Sequence, residues 1–183
     1  MFKQSLFKRL RAFAAETRGS VSVEFVLVMP FLFWAFMATY VFFDGYRQSS
    51  VNLKAAYTIS DLISRETNVL NDDYIDSMYS LFETLVRTRS NIRMRISVIR
   101  FDEDDNRYYV DWSVKRGYES IRTNENIATI KWKLPAMPDN ERVILVETRN
   151  QFVPLFNIGM SNKLLVNFVF TRPRFAPQVL YES

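Results

Sequence analysis

The 183-residue chain has no cysteine and no histidine, and only four glycines. Without cysteine there are no disulfides, thiolate zinc sites or thiol nucleophiles; without histidine no triad can use imidazole as its base. The glycines, at 19, 45, 117 and 159, are too scattered for a phosphate-cradling loop. The net charge of +4 suggests a basic protein, but its distribution removes that reading. Lys3, Lys8, Arg9, Arg11 and Arg18 face a single Glu16 in residues 1–19, and the remaining residues carry 19 cations and 19 anions. A nucleic-acid binder concentrates its positive field on the folded body. Here the excess lies in a short leading segment, so no nucleic-acid partner is expected.

Charge is also missing from one long run, FVLVMPFLFWAFMATYVFF at 25–43. As a helix, 19 residues at about 1.5 Å each cover roughly 28 Å, close to the hydrocarbon thickness of a bilayer. A chain this small has little interior in which to hide a helix that is apolar on every face. The run is longer than the apolar core of a cleavable secretory signal, and no small-residue cleavage pattern follows it, so a retained anchor is expected. Five cations precede it, and only Arg47 and Lys54 follow within a dozen residues. The positive-inside rule then puts the leading end in the cytoplasm and the rest of the chain outside. Phe2, Leu6, Phe7, Leu10 and Phe13 fall near helical spacing, as in a segment lying on an anionic leaflet. Pro30, inside the run, lacks the N–H that would bond the carbonyl of Val26, and a kink is expected there.

Beyond Gly45 the apolar positions Val51, Ala55, Ala56, Ile59, Leu62 and Ile63 keep helical spacing to about Glu66. Asn71 reads as an N-cap with Asp72 and Asp73 in the first turn. Ile75, Met78, Phe82, Leu85 and Val86 share one face, and Arg87 and Arg89 close the helix. The period then switches to two. Ile92, Met94, Ile96 and Val98 alternate with polar residues, as do Tyr108, Val110, Trp112 and Val114, so the two runs form a hairpin around residues 102–106. Alternation puts Arg93 and Arg95 together on an exposed sheet face. Residues 117–140 read as a loop-rich connection, and 143–151 and 164–172 as two further strands. The fold class is α+β: a transmembrane helix prolonged into an amphipathic one, then a small antiparallel sheet. The divisions are 1–19 leader, 20–43 transmembrane helix and 44–183 extracytoplasmic module.

Candidate chemistry in the module is sparse. Asp102, Asp104 and Asn106 have the first three spacings of a calcium loop, but its sixth position is Arg107 and its twelfth Ser113, where glycine and glutamate are needed. Asp72, Asp73 and Asp76 are explained by helix capping. No metal, cofactor or catalytic residue is expected, and the reading is not that of an enzyme.

The most informative residues are GSVSVEF at 19–25: Gly19, Ser20, then Glu24 five places past the glycine, an aromatic at Phe25, and the apolar run directly after. A carboxylate at the edge of hydrocarbon costs a few kcal/mol unless paired or hydrated; placed in the first turn of the helix, Glu24 would also be favoured by the dipole. The combination resembles the type IV prepilin junction. With EFVLVMP at 24–30, VILVETRNQFVPL at 143–155 and a last strand ending TRPR at 171–174, the whole chain is similar to TadE/TadG-like proteins of tight-adherence (Tad, or Flp-type) pilus systems. Those proteins commonly have Glu-Tyr where this chain has Glu24-Phe25. The resemblance implies a pilin-like module and cleavage between Gly19 and Ser20 by a prepilin peptidase. It also implies a role for Glu24 and Phe25 in peptidase recognition and subunit registry. It further implies a place in the bacterial inner membrane with the module periplasmic or extracellular. The implied partners are the Flp pilin, a sister pseudopilin, an inner-membrane assembly platform and the lipid bilayer. A membrane-tethered sensor or ligand-binding domain, with Glu24 merely interfacial, is the alternative, and an organelle import peptide ahead of an anchor is a further one.

Overall fold

The computed structural model describes residues 11, 12, 15, 20–87 and 90–182. They form helix α1 (Ser20–Ser64), helix α2 (Asp72–Val86) and strands β1 (Arg93–Asp102), β2 (Arg107–Arg116), β3 (Arg142–Phe152) and β4 (Lys163–Thr171). A 3-10 helix, Ile127–Lys133, lies between β2 and β3. The fold is α+β, a long apolar helix followed by a four-stranded antiparallel sheet. Two compact units divide the chain. One ends at Phe43 and includes Leu155–Gly159; the other comprises Asp44–Pro154 and the residues from Met160 onward.

In the first unit α1 runs through Pro30 without interruption. Thr39 bonds its hydroxyl back to the carbonyl of Ala35 at 2.8 Å, and Tyr40 meets Phe156 edge-on with ring centroids 5.9 Å apart. Most large side chains from Phe25 to Phe43 are exposed, among them Phe31, Phe36 and Phe43 at more than 70%.

In the second unit the same helix changes character. Ala55, Ala56, Ile59 and Ile63 are buried, a stripe at i, i+4 and i+8 in which two alanines permit close approach to the sheet. The helix stops at Ser64, two residues before the expected end. Asn71 caps α2 as expected, its side-chain oxygen accepting the Tyr74 N–H at 2.9 Å. Arg87 ends the helix in the left-handed region (φ 49°), its N–H bonded to the Glu83 carbonyl at 3.1 Å. Arg89 lies outside the described residues. Ile75, Phe82 and Val86 are buried and Met78 half-buried, but Leu85 is 37% exposed and turned away from the face predicted for it.

The strand order is β2-β1-β3-β4 with every pairing antiparallel. The chain therefore passes from edge strand β2 over β1 to reach β3, using residues 117–141 as the crossing. That segment covers one face of the sheet while α1 and α2 cover the other, so β1 is buried continuously from residue 94 to 99. One core holds Ile59, Ile75, Phe82, Met94, Ile96, Ile144 and Val146 under the helices. A smaller one holds Ile99, Ile127, Leu134, Met137, Val143 and Leu145 under the crossing segment.

Two expectations are corrected here. Tyr108, Val110, Trp112 and Val114 do not share a face. Val98 pairs with Trp112 but Ile99 with Val110, so Asp111 is an extra residue, a bulge that reverses the alternation. Trp112 and Val114 join the helix-side core, while Tyr108 and Val110 join the other. Nor do Arg93 and Arg95 form an exposed pair. Both face the crossing segment, which buries Arg95 to 6% exposure.

Candidate functional site

The junction residues stand as follows. Gly19 and the leader positions Phe2, Leu6, Phe7, Leu10 and Phe13 lie outside the described residues. Ser20 is the first described residue of α1. Glu24 lies on this helix, directly before the apolar run that starts at Phe25. Glu24 is exposed, and Phe25 beside it is 61% exposed.

The helix that follows is the one described helix long and apolar enough to cross a membrane, and only 6% of its most apolar window is buried. The core helix of a soluble protein has the same composition but a buried surface. Met29, Leu32, Phe33, Ala35, Phe36 and Thr39 line a shallow, mostly apolar groove. Small residues at i, i+4 are where a second helix approaches a membrane helix closely.

In the module, sequence reasoning missed a buried ionic cluster. Glu147 on β3 accepts three hydrogen bonds: Arg95 Nε at 2.8 Å and Arg122 Nε at 2.9 Å on Oε2, and Arg122 Nη2 at 2.6 Å on Oε1. Arg95 also donates to the Ser120 carbonyl at 2.9 Å and stacks its guanidinium on Tyr118, 4.5 Å from the ring centroid. Burial alone would push the Glu147 carboxyl up; the hydrogen bonds from Arg122 and Arg95 outweigh it and hold the group below the usual glutamate value. Burial also pushes the Tyr118 phenol up, and the Glu147 charge adds to it. Glu147 is thus ionised at neutral pH with both cations already on it. Its chemistry is that of a staple tying residues 118–122 to the sheet, not of an acid or base open to substrate. No local signal announces this pairing, because the partners are 52 and 25 residues apart.

The late basic residues are also placed. Arg172 pairs with Glu141 at 2.6 Å and Arg174 with Asp61 at 3.1 Å; the Arg174 N–H donates to the Ser64 carbonyl at 2.8 Å. Ser60 donates to Thr171 at 2.8 Å. The final segment then exchanges backbone bonds with Leu70, through the Leu180 carbonyl and the Glu182 N–H, both at 2.9 Å. TRPR at 171–174 thus clamps the end of α1. Residues 102–106 form a turn closed on itself, with Asp102 accepting the Asp105 N–H at 3.3 Å and Asn106 at φ 48°.

Compared with protein-family models, curated proteins and solved structures, the chain matches none.

Proposed function

We propose that this chain is a membrane-anchored pseudopilin or minor pilin that takes part in assembling a Tad (Flp-type) pilus. The observation that carries the reading is Glu24, on an apolar and largely exposed helix, directly before its apolar run and five residues past Gly19. In this reading α1 crosses the inner membrane with its leading end cytoplasmic, and a prepilin peptidase cuts between Gly19 and Ser20. Cleavage creates an ammonium on Ser20. When helices pack side by side, Glu24 of one subunit neutralises that ammonium on its neighbour; in low dielectric a one-turn slip leaves two unpaired charges, so the pairing selects one register. The groove that Ala35 and Thr39 help to line supports side-by-side packing, and Pro30 removes one backbone bond that a bend for that packing would strain. The module supplies lateral contacts with the Flp pilin, a sister pseudopilin and the assembly platform; no step calls for a cofactor.

Mass spectrometry of the membrane form from cells with an active prepilin peptidase tests the reading. The expected mature chain starts at Ser20, and Glu24→Gln abolishes incorporation into pili while leaving membrane insertion intact. A native chain still starting at Met1, together with normal piliation in the Glu24→Gln strain, would overturn it.

A further inference from the structure

The β1/β3 ladder sets Arg93 directly opposite Arg149 on the face of the sheet that also carries Arg95 and Glu147. Like charges opposed in this way destabilise a sheet. The nearby carboxylate of Glu147 is already taken by Arg95 and Arg122. Among the described residues Arg93 reaches only the carboxylate of Glu119, at 3.6 Å, whose side chain is 92% exposed, and such a bridge contributes little. Arg149 has no carboxylate partner among the described residues: its guanidinium lies 5.4 Å from the Tyr118 ring centroid, and its Nε is buried without an acceptor. Gly117, at φ 74°, builds this corner by crossing so close to β1 that an added Cβ would meet the Ile92 carbonyl oxygen at 2.9 Å. The row continues from Arg149 to Val166 on edge strand β4, with Leu164 beside it, both more than half exposed. The corner is therefore two guanidiniums in need of a carboxylate, bordered by aliphatic side chains.

At the other end of β1 the turn into β2 has the complementary surplus. Glu103 and Asp104 are exposed, and their carboxylates make no ion pair among the described residues. A ten-residue strand, about 33 Å, separates the turn from the corner, so the two cannot meet within one chain. We propose that the Arg93–Arg149 corner receives the Glu103–Asp104 turn of a second copy of this chain, a contact between unlike surfaces in which each copy can both give and receive. This goes beyond the filament reading and does not depend on leader cleavage.

Sedimentation of the full-length chain in neutral detergent, at low and high salt, tests it with three variants: Arg149→Glu, Glu103→Lys with Asp104→Lys, and the three substitutions combined. The expected result is salt-sensitive self-association, weakened at least about tenfold by either charge reversal, since juxtaposed like charges cost several kcal/mol. The combined variant restores it, and a loss of folding at Arg149 would not be repaired by changes at the far end of the strand. Association indifferent to both reversals, as contact through α1 alone would give, overturns the proposal. So does a monomeric chain whose melting temperature rises with millimolar inorganic phosphate in the wild type but not in Arg149→Glu, which would make the corner a small-anion site.

Discussion

Glu147 is the residue on which the module's polar interior turns. Two arginines share its carboxylate, and its side chain is 8% exposed. Removing one partner of a buried ion pair leaves an uncompensated charge, at a cost of about 3–5 kcal/mol. Glu147→Gln is therefore expected to lower unfolding stability by about that amount in urea titration of the detergent-solubilised chain. Asp61→Asn, which loosens ion pairs to the half-exposed Arg65 and Arg174, should cost less than about 1 kcal/mol. The pH dependence has a definite sign. Because the folded state holds Glu147 below its ordinary value, the unfolded chain takes up the proton first. The stabilisation is complete above the unfolded glutamate value, near 4.5, and is lost as pH falls from there through the folded value. Melting temperatures of the wild type should fall across that window, and those of Glu147→Gln should fall less.

At the level of elements, the two edges of β2 show how one residue can redirect a strand. Gly117 leaves β2 in the left-handed region, with no room for a Cβ beside the Ile92 carbonyl, and so carries Tyr118 over Arg95 and Arg149. Gly117→Ala combines a backbone penalty of about 1–3 kcal/mol with a clash against main chain. Thermal unfolding should reveal a loss of that order, and Tyr118 fluorescence should report greater exposure in the folded state. The long apolar helix, the Asn71 cap, all four strands and the hairpin turn were legible, because each rests on local periodicity or capping. What was not legible is non-local. Alternation shows that Arg95 shares a face with Arg93, but not that residues 117–141 cover that face. The bulge at Asp111 has no composition signal, and a single inserted residue divides Tyr108 and Val110 from Trp112 and Val114. Of the candidate site, Glu24 was found through its spacing from Gly19, and the structure adds that its side chain is exposed on α1.

For the whole molecule, the exposed apolar surface of α1 sets behaviour in bulk. Phe31, Phe36 and Phe43 each leave more than 70% of their surface uncovered, and at about 25 cal/mol per Å² such a surface is not left in water. The native chain is expected to stay with the membrane pellet through an alkaline carbonate wash and to be released only by detergent; recovery in the wash supernatant would refute an integral anchor. Arginine substituted for Phe33, near the middle of the run, should impair insertion by roughly 2.5–3.5 kcal/mol, measurable as protein lost from the membrane fraction. The sheet order has a temporal side as well. Arg95 leaves the ribosome 52 residues ahead of Glu147, and central strand β1 must wait for β3 before both of its edges are paired. A chain synthesised from its leading end thus carries, for a time, a guanidinium whose counterion has not yet been made. Closure comes late, after most of the polypeptide has been made, and until then the central strand keeps one edge open and its buried cation unmatched.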